Sequence, residues 1–353
     1  MYKIDEDRCD QERFLDWFFE SSQKRYRWSD SSIQFVKDKR MIFDAHGDIL
    51  TDIYEESQKG NKDSFRKKHY PLYVKGGITH SIFVNWTDPY QKTKEDFDKT
   101  FDVAIDELKQ VSDIVKICLN YDDVKKAHAE NKLGVILGIE GLKYLDNPEA
   151  IKDLYHRGVR HAILTWNEEN NYATGVAETE SGLKDKGREL LSWMEQLGMI
   201  IDLSHANPNT FEDVMNYTCG PIIVSHGNAK SLCDHRRNYT DDQLMRLKER
   251  DGVIGVCAVP NFISKDPELQ TVEYLAKHID YIVKLIGIDH VGLGLDVYYY
   301  LMEGKTSTGV KGLETIEQAQ NILDVLRTMG YSDQELEKIA HKNFDRILLK
   351  VLN

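Results

Sequence analysis

Three histidines and three carboxylates in this sequence sit where they could hold a metal ion. They are His46 and Asp48 in FDAHGDIL, Glu140 in LGIEG, His205 in IIDLSH, His226 in IIVSH and Asp296 in GLGLD. Side chains two apart on a strand point the same way, so a His-x-Asp pair can grip one ion. Imidazole and carboxylate are both good zinc ligands. His46, Asp48, Glu140, His205 and His226 are too many for one tetrahedral zinc. They suit two ions sharing a bridging carboxylate, and a pair of metals about 3.5–4 Å apart is a common way to activate a hydrolytic water. Asp296 adds a third carboxylate beside them. Taken singly, each residue is weak evidence. A lone His-x-Asp arises by chance, a lone strand-end histidine is more often core or surface, and Glu140 alone could cap a helix. The signal is that all of them fall at the same end of successive strands. The other histidines (His69, His80, His128, His156, His161, His235, His278, His290, His341) show no such pattern and read as structural or solvated.

The elements that must position these residues alternate from Met41 onward. Short apolar, β-branched runs occupy 41–45, 78–84, 134–139, 159–165, 199–203, 221–225, 253–259 and 290–294. Amphipathic patterns lie between them, among them 183–197, 207–216, 240–249 and 271–286. Continuous apolar strands alternating with helices mean a parallel sheet covered on both faces. Eight such units predict a closed (β/α)₈ TIM barrel, whose active-site face is built from the C-terminal strand ends. Residues 1–40, with Phe14, Leu15, Trp17 and Phe18 at helical spacing, read as an N-terminal helical extension packed on a barrel domain of 41–353. The stretch 311–350 reads as extra C-terminal helices.

A length of 353 residues is ordinary for such a barrel with insertions. Hydrophobic residues at 41% and charged residues at 30% place the chain among folded globular proteins. A net charge of −13 argues against a nucleic-acid partner. No run of about 18 apolar residues exists to span a membrane, and the acidic start has no apolar signal-peptide core. Five cysteines without CxxC spacing read as free thiols, and the expected compartment is the cytoplasm. No GxGxxG, Walker, serine-elbow or cysteine-nucleophile motif is present, which turns the reading away from nucleotide binding and covalent catalysis.

The motifs FDAHGDIL, LGIEG, LGMIIDLSHANPNTF, PIIVSHGNAKSLCDHRRNYTDDQL and IDHVGLGLD together resemble the membrane (renal) dipeptidase family, peptidase family M19, from about Phe43 to Tyr331. The resemblance implies a soluble metallo-dipeptidase on a metal-dependent-hydrolase barrel with two Zn²⁺ per chain. His46, Asp48 and Glu140 would hold one ion and Glu140, His205 and His226 the other, with Glu140 as the bridge. It also implies that Arg237 grips the dipeptide's C-terminal carboxylate, a role suited to a bidentate guanidinium. Asp296 would be the catalytic proton shuttle. D-residues at the C-terminal position and a homodimer belong to the same expectation.

Two departures from the family's pattern concern the substrate side. Relatives carry a histidine between the Thr and Asn after the fourth barrel strand; here the segment is Thr165-Trp166-Asn167. The usual Asp-aromatic-Asp-Gly becomes Asp296-Val297-Tyr298-Tyr299-Tyr300. Trp166, Asn167 and Tyr298 are therefore expected substrate-binding residues, with a tyrosine cluster lining the pocket. The departures keep two alternatives open: hydrolysis of another small amide or a lactone, and a non-catalytic metal-bound binding protein.

Overall fold

The computed structural model describes residues 39–87, 92–302 and 309–353. The expected helical extension over 1–40 lies outside them apart from its last two residues. Nine parallel strands form the sheet: β1 Ile42–Gly47, β2 Ile78–Trp86, β3 Val115–Ile117, β4 Leu133–Glu140, β5 Val159–Ile163, β6 Ile200–Asp202, β7 Ile222–Gly227, β8 Val253–Val256 and β9 Val291–Leu293. Eight run around a TIM barrel in the order β1-β2-β4-β5-β6-β7-β8-β9. They match the eight expected runs, several with shorter bounds. β3 is the addition. It pairs with Leu133–Val135, ahead of the point, Leu137, at which β5 takes over. Three residues with a lysine at the centre carry no readable period, so sequence reasoning passes over it.

Where β9 returns to β1, the Asp44 carboxylate accepts the Leu295 backbone N–H at 2.8 Å across the seam. Gly294 permits a closer approach than any side chain would, since a Cβ there would meet the Ser225 carbonyl at 1.6 Å.

The strand residues divide into two apolar clusters. Ile42, Val135, Leu137, Ile201, Val224 and Ile254 pack with the surrounding helices. Phe43, Ile82, Val84, Ile136, Ile223 and Val253 pack together with Phe344, Ile347 and Leu348 of the C-terminal helix Asn343–Val351. That helix plugs the barrel: the Phe344 ring lies 5.0 Å from Phe43. The strands are thus held from within at one end and free to present polar side chains at the other. The helices at Asp185–Leu197, Pro208–Tyr217, Asp241–Glu249 and Val272–Ile286 lie where the amphipathic patterns fall. Asn207, Thr240 and Thr271 cap the last three by accepting backbone N–H groups.

Cys118, Cys233 and Cys257 are free and buried. Cys219 is disulfide-bonded, so the expectation of five free thiols is corrected; its partner lies outside the described residues. No helix among the described residues is long and apolar enough to cross a membrane.

Candidate metal centre

Each expected ligand leaves the barrel at the same rim. His46 is the penultimate residue of β1, and Asp48 is the N-cap of the helix Ile49–Gln58. Glu140 is the final residue of β4, in register with Trp86 of β2 and Ile163 of β5. His226 is in β7, while His205 and Asp296 follow β6 and β9. His205 and Asp296 adopt φ of +65° and +49°. That left-handed region costs a non-glycine residue about 1–3 kcal/mol, and such strain gathers at functional sites.

The geometry centres on Glu140. Its Oε1 lies 2.9 Å from His205 Nε2 and 3.6 Å from His226 Nε2. Its Oε2 lies 3.7 Å from His46 Nε2, which is also 3.7 Å from Asp48 Oδ1. The Nε2 atoms of His205 and His226 stand 3.0 Å apart. His205 Nδ1 donates to Asn167 Oδ1 at 2.9 Å, so its Nε2 keeps a lone pair facing the carboxylate. His226 Nδ1 is held by Ser225 Oγ at 2.9 Å. Two triads bring their donor atoms within 4.8 Å of one another: His46, Glu140 and His226, and His46, Asp48 and Asp296. All five expected ligands and Asp296 are therefore gathered in one place.

These groups fit a cation. Glu140 Oε1 and Asp48 Oδ1 are buried with no donor in hydrogen-bonding geometry. Burial, then the positive Arg237 and His46, hold the His205 imidazole well below its usual range; burial, then His46 and Arg237, do the same for His226. Both are neutral, as metal ligands must be. Burial alone would lower His46, but Glu140, Asp48 and Asp296 outweigh it and push it up to about 10. Burial raises Glu140 and Asp296. Three carboxylates crowded away from water are expensive without positive charge between them, and a divalent ion supplies it.

His46, Asp48, Glu140 and His205 floor a cavity of about 360 Å³. Trp166, Asn167, Arg237 and Tyr298 stand in its wall, as expected. Arg237 is buried, and its Nε and Nη1 N–H groups have no acceptor; Nη2 reaches the His226 carbonyl at 3.4 Å. Guanidinium N–H groups without an acceptor are able to receive a carboxylate. The expected tyrosine cluster is corrected. Tyr298 alone lines the cavity, whereas Tyr299 bonds His69 Nδ1 at 2.7 Å and Tyr300 packs edge-on to His69. His69 is in turn tied to Asp52 at 2.6 Å. Four further wall residues escaped the sequence reading: Trp86, His235, Arg236 and Phe262. Trp86 had a usable signal, since it stands two residues beyond the run 78–84, at the same rim as Glu140.

A family model described as membrane dipeptidase, peptidase family M19, matches residues 31–353. The chain belongs to that family. Its enzyme class is metallo-dipeptidase. The chain is 31% identical over 317 residues to dipeptidase tcpJ of Claviceps purpurea, covering 89% of this chain and 68% of the relative. It is 31% identical over 341 residues to an uncharacterized dipeptidase of Schizosaccharomyces pombe, covering 89% and 81%. Among solved structures, the Rhodobacter sphaeroides metallo peptidase liganded with a phosphinate mimic of the dipeptide L-Ala-D-Ala superposes with a TM-score of 0.79 at 22% identity, covering 89% of this chain and 100% of that one. The dipeptidase AC, also of family M19, gives 0.79 at 22%, covering 89% and 99%. At that identity these two likenesses speak for the fold.

Proposed function

We propose that this chain is a zinc-dependent dipeptidase that holds two ions, with His46, Asp48 and Glu140 around one and Glu140, His205 and His226 around the other. The observation that carries the reading is the pairing of a donor-rich floor with Arg237 in the wall of the same cavity, whose Nε and Nη1 N–H groups have no acceptor. Bound there, the ions would supply the Lewis acidity that lets a water ionise near neutral pH and that polarises a carbonyl.

The rest is done by side chains. Arg237 takes the substrate's C-terminal carboxylate, which fixes one end and limits length. The Asp296 carboxylate, raised by burial, accepts a proton from the attacking water and delivers it to the leaving amine. D-residues at the C-terminal position are proposed substrates, supported by the dipeptide mimic bound to the Rhodobacter protein. A homodimer is proposed on family resemblance and is checked by light scattering.

Trp166 in the wall, where relatives carry an imidazole, favours a second reading: hydrolysis of another small amide or a lactone. Metal analysis of the purified protein, joined to a panel of dipeptides with L- and D- C-terminal residues and a chelator control, separates the two. The dipeptidase reading expects two zinc ions per chain and turnover abolished by chelation. Zinc-loaded protein that cleaves no dipeptide would sink it.

A further inference from the structure

The cavity has two unlike poles on opposite sides of the barrel mouth. Arg236 and Arg237, which follow β7, and Phe262, which follows β8, form one. Trp86, which ends β2, and Trp166, which follows β5, form the other and flank Glu140 of β4. The two indoles meet edge to face with ring centroids 5.3 Å apart, and Trp166 lies 6.1 Å from the His205 ring. Metal ligands occupy the ground between the poles.

The indole pole is rigid. Trp86 is locked into the ladder opposite Glu140, and its backbone N–H donates to Thr51 Oγ1 at 3.2 Å. A Cβ on Gly175 would stand 2.3 Å from the Trp166 carbonyl, and one on Gly141 would stand 3.3 Å from its backbone nitrogen. The backbone of Trp166 is therefore wedged against two glycines. Among the described residues, and apart from the ligands, the only polar side chain of the cavity wall beside these indoles is Asn167, and its carbonyl is committed to His205. The dipeptide's own α-ammonium can turn to the Asp48 and Glu140 carboxylates of the cavity floor, but a carboxylate side chain against the indole faces would gain no partner from them, and a Lys ammonium would gain only a cation–π contact for the water it loses. An apolar side chain would be buried against surface that is already ordered.

A dipeptide whose carboxylate is held by Arg237 and whose scissile carbonyl lies over Glu140 must direct its N-terminal residue toward the indoles. We propose that Trp86 and Trp166 are specificity-determining residues that select dipeptides with a large apolar N-terminal side chain, aromatic ones first. The inference rests on the dipeptidase reading. Edge-to-face and offset ring contacts add to plain burial, which sets aromatic above aliphatic side chains.

The test compares kcat/KM of zinc-loaded enzyme for Phe-Ala, Leu-Ala, Gly-Ala, Lys-Ala and Glu-Ala, in wild type, Trp86→Ala and Trp166→Phe. Wild type should favour Phe-Ala over Gly-Ala by about tenfold or more, the scale on which an apolar pocket discriminates. Trp86→Ala should shrink that ratio to about threefold or less, with the loss carried by Phe-Ala. Trp166→Phe, which keeps a ring, should retain most of it and serves if Trp86→Ala does not fold. Equal rates for Phe-Ala and Gly-Ala, a preference for Lys-Ala or Glu-Ala, or an unchanged ratio in Trp86→Ala would each overturn the proposal while leaving the dipeptidase reading intact. Absence of any dipeptide cleavage would overturn both.

Discussion

Two histidine clusters stand at opposite ends of the same barrel, and they differ in where their polar atoms are spent. At the C-terminal rim, His46, His205 and His226 surround Glu140, with Asp48 and Asp296 alongside. At the plugged end, His80, His128 and His341 surround Asp345 of the C-terminal helix. There the carboxylate is used on both sides, by His80 Nε2 at 2.8 Å and His341 Nδ1 at 2.6 Å. His80 Nδ1 is taken by Thr79 at 3.0 Å, while His128, packed edge-on to the His80 ring, has no hydrogen-bond partner for either ring nitrogen among the described residues. At the rim the arithmetic is reversed. Carboxylate oxygens lack donors, two imidazole nitrogens confront each other, and among the described residues the only triads with donor atoms within 4.8 Å of one another are here. Residue types alone do not separate a binding centre from a structural knot. Unspent carboxylate oxygens do: both oxygens of Asp345 have partners, while Glu140 Oε1 and Asp48 Oδ1 have no donor in hydrogen-bonding geometry.

The sharpest way to break this contrast is to remove the central carboxylate at each end. Glu140→Gln keeps the shape but weakens a ligand shared by three imidazoles. Loss of kcat/KM by at least about a thousandfold, equivalent to about 4 kcal/mol, is expected, together with zinc content per chain well below wild type by metal analysis. Stability of the metal-free protein should change little or rise, because a buried charge disappears. Asp345→Ala should do the opposite. It strands two histidines that share one acceptor, at a cost of about 3 kcal/mol seen in chemical denaturation, while zinc content and KM of the folded fraction stay near wild type. Zinc loss in Asp345→Ala comparable to that in Glu140→Gln would mean that the two ends are not independent.

A smaller effect sharpens the account of the rim. Asn167 stands in the cavity wall as expected of a substrate contact, yet its carbonyl oxygen is the acceptor that fixes the His205 tautomer. Orienting partners of metal-bound histidines are worth about 10–100-fold in metal affinity. Asn167→Ala should lose zinc affinity on that scale in chelator competition, and Asn167→Asp, which keeps the acceptor, should recover most of it. Unchanged zinc affinity in Asn167→Ala, with only KM raised, would return Asn167 to substrate binding alone.

Legibility in the sequence follows the same division. The eight barrel strands and all six rim residues could be read because strand-end position and the two-residue repeat are local properties. The ladder β3 could not, because the lysine at its centre breaks the apolar run that marks the equally short β6 and β9. His235, Arg236 and Phe262 reach the cavity from loops whose course depends on tertiary packing, and no spacing announces it. Tyr299 and Tyr300 depart from the expected cluster for a related reason. A 3₁₀ helix begins at Tyr299, directly after Tyr298, and the buried His69–Asp52 pair draws Tyr299 and Tyr300 away while leaving Tyr298 in the wall. His80 and His341 are 261 positions apart in sequence, so nothing local announces that they share one carboxylate.

The gentlest test lies in the acid response of the plugged end. Burial, followed by the neighbouring His80, pushes the His128 imidazole down to about 3. In the unfolded chain it would titrate near its ordinary value of about 6.5. Between these values the unfolded state binds a proton that the folded state refuses, so stability falls as pH falls, by up to about 1.4 kcal/mol per pH unit. His80 and His341 hold the Asp345 carboxyl well below the usual carboxylate range, against the opposing effect of burial. Its contribution is intact above an ordinary carboxyl value of about 3.9 and is lost only under stronger acid. The two groups therefore separate in pH. Denaturation of wild type from pH 7 to 5 should show a decline that His128→Phe makes shallower without abolishing it, since burial also holds His205, His226 and His278 below their ordinary range, and a further decline below about pH 4 should persist in that variant. An identical slope in both proteins between pH 7 and 5 would show that His128 takes up its proton in the folded state and that the plugged end is wetter than its packing implies.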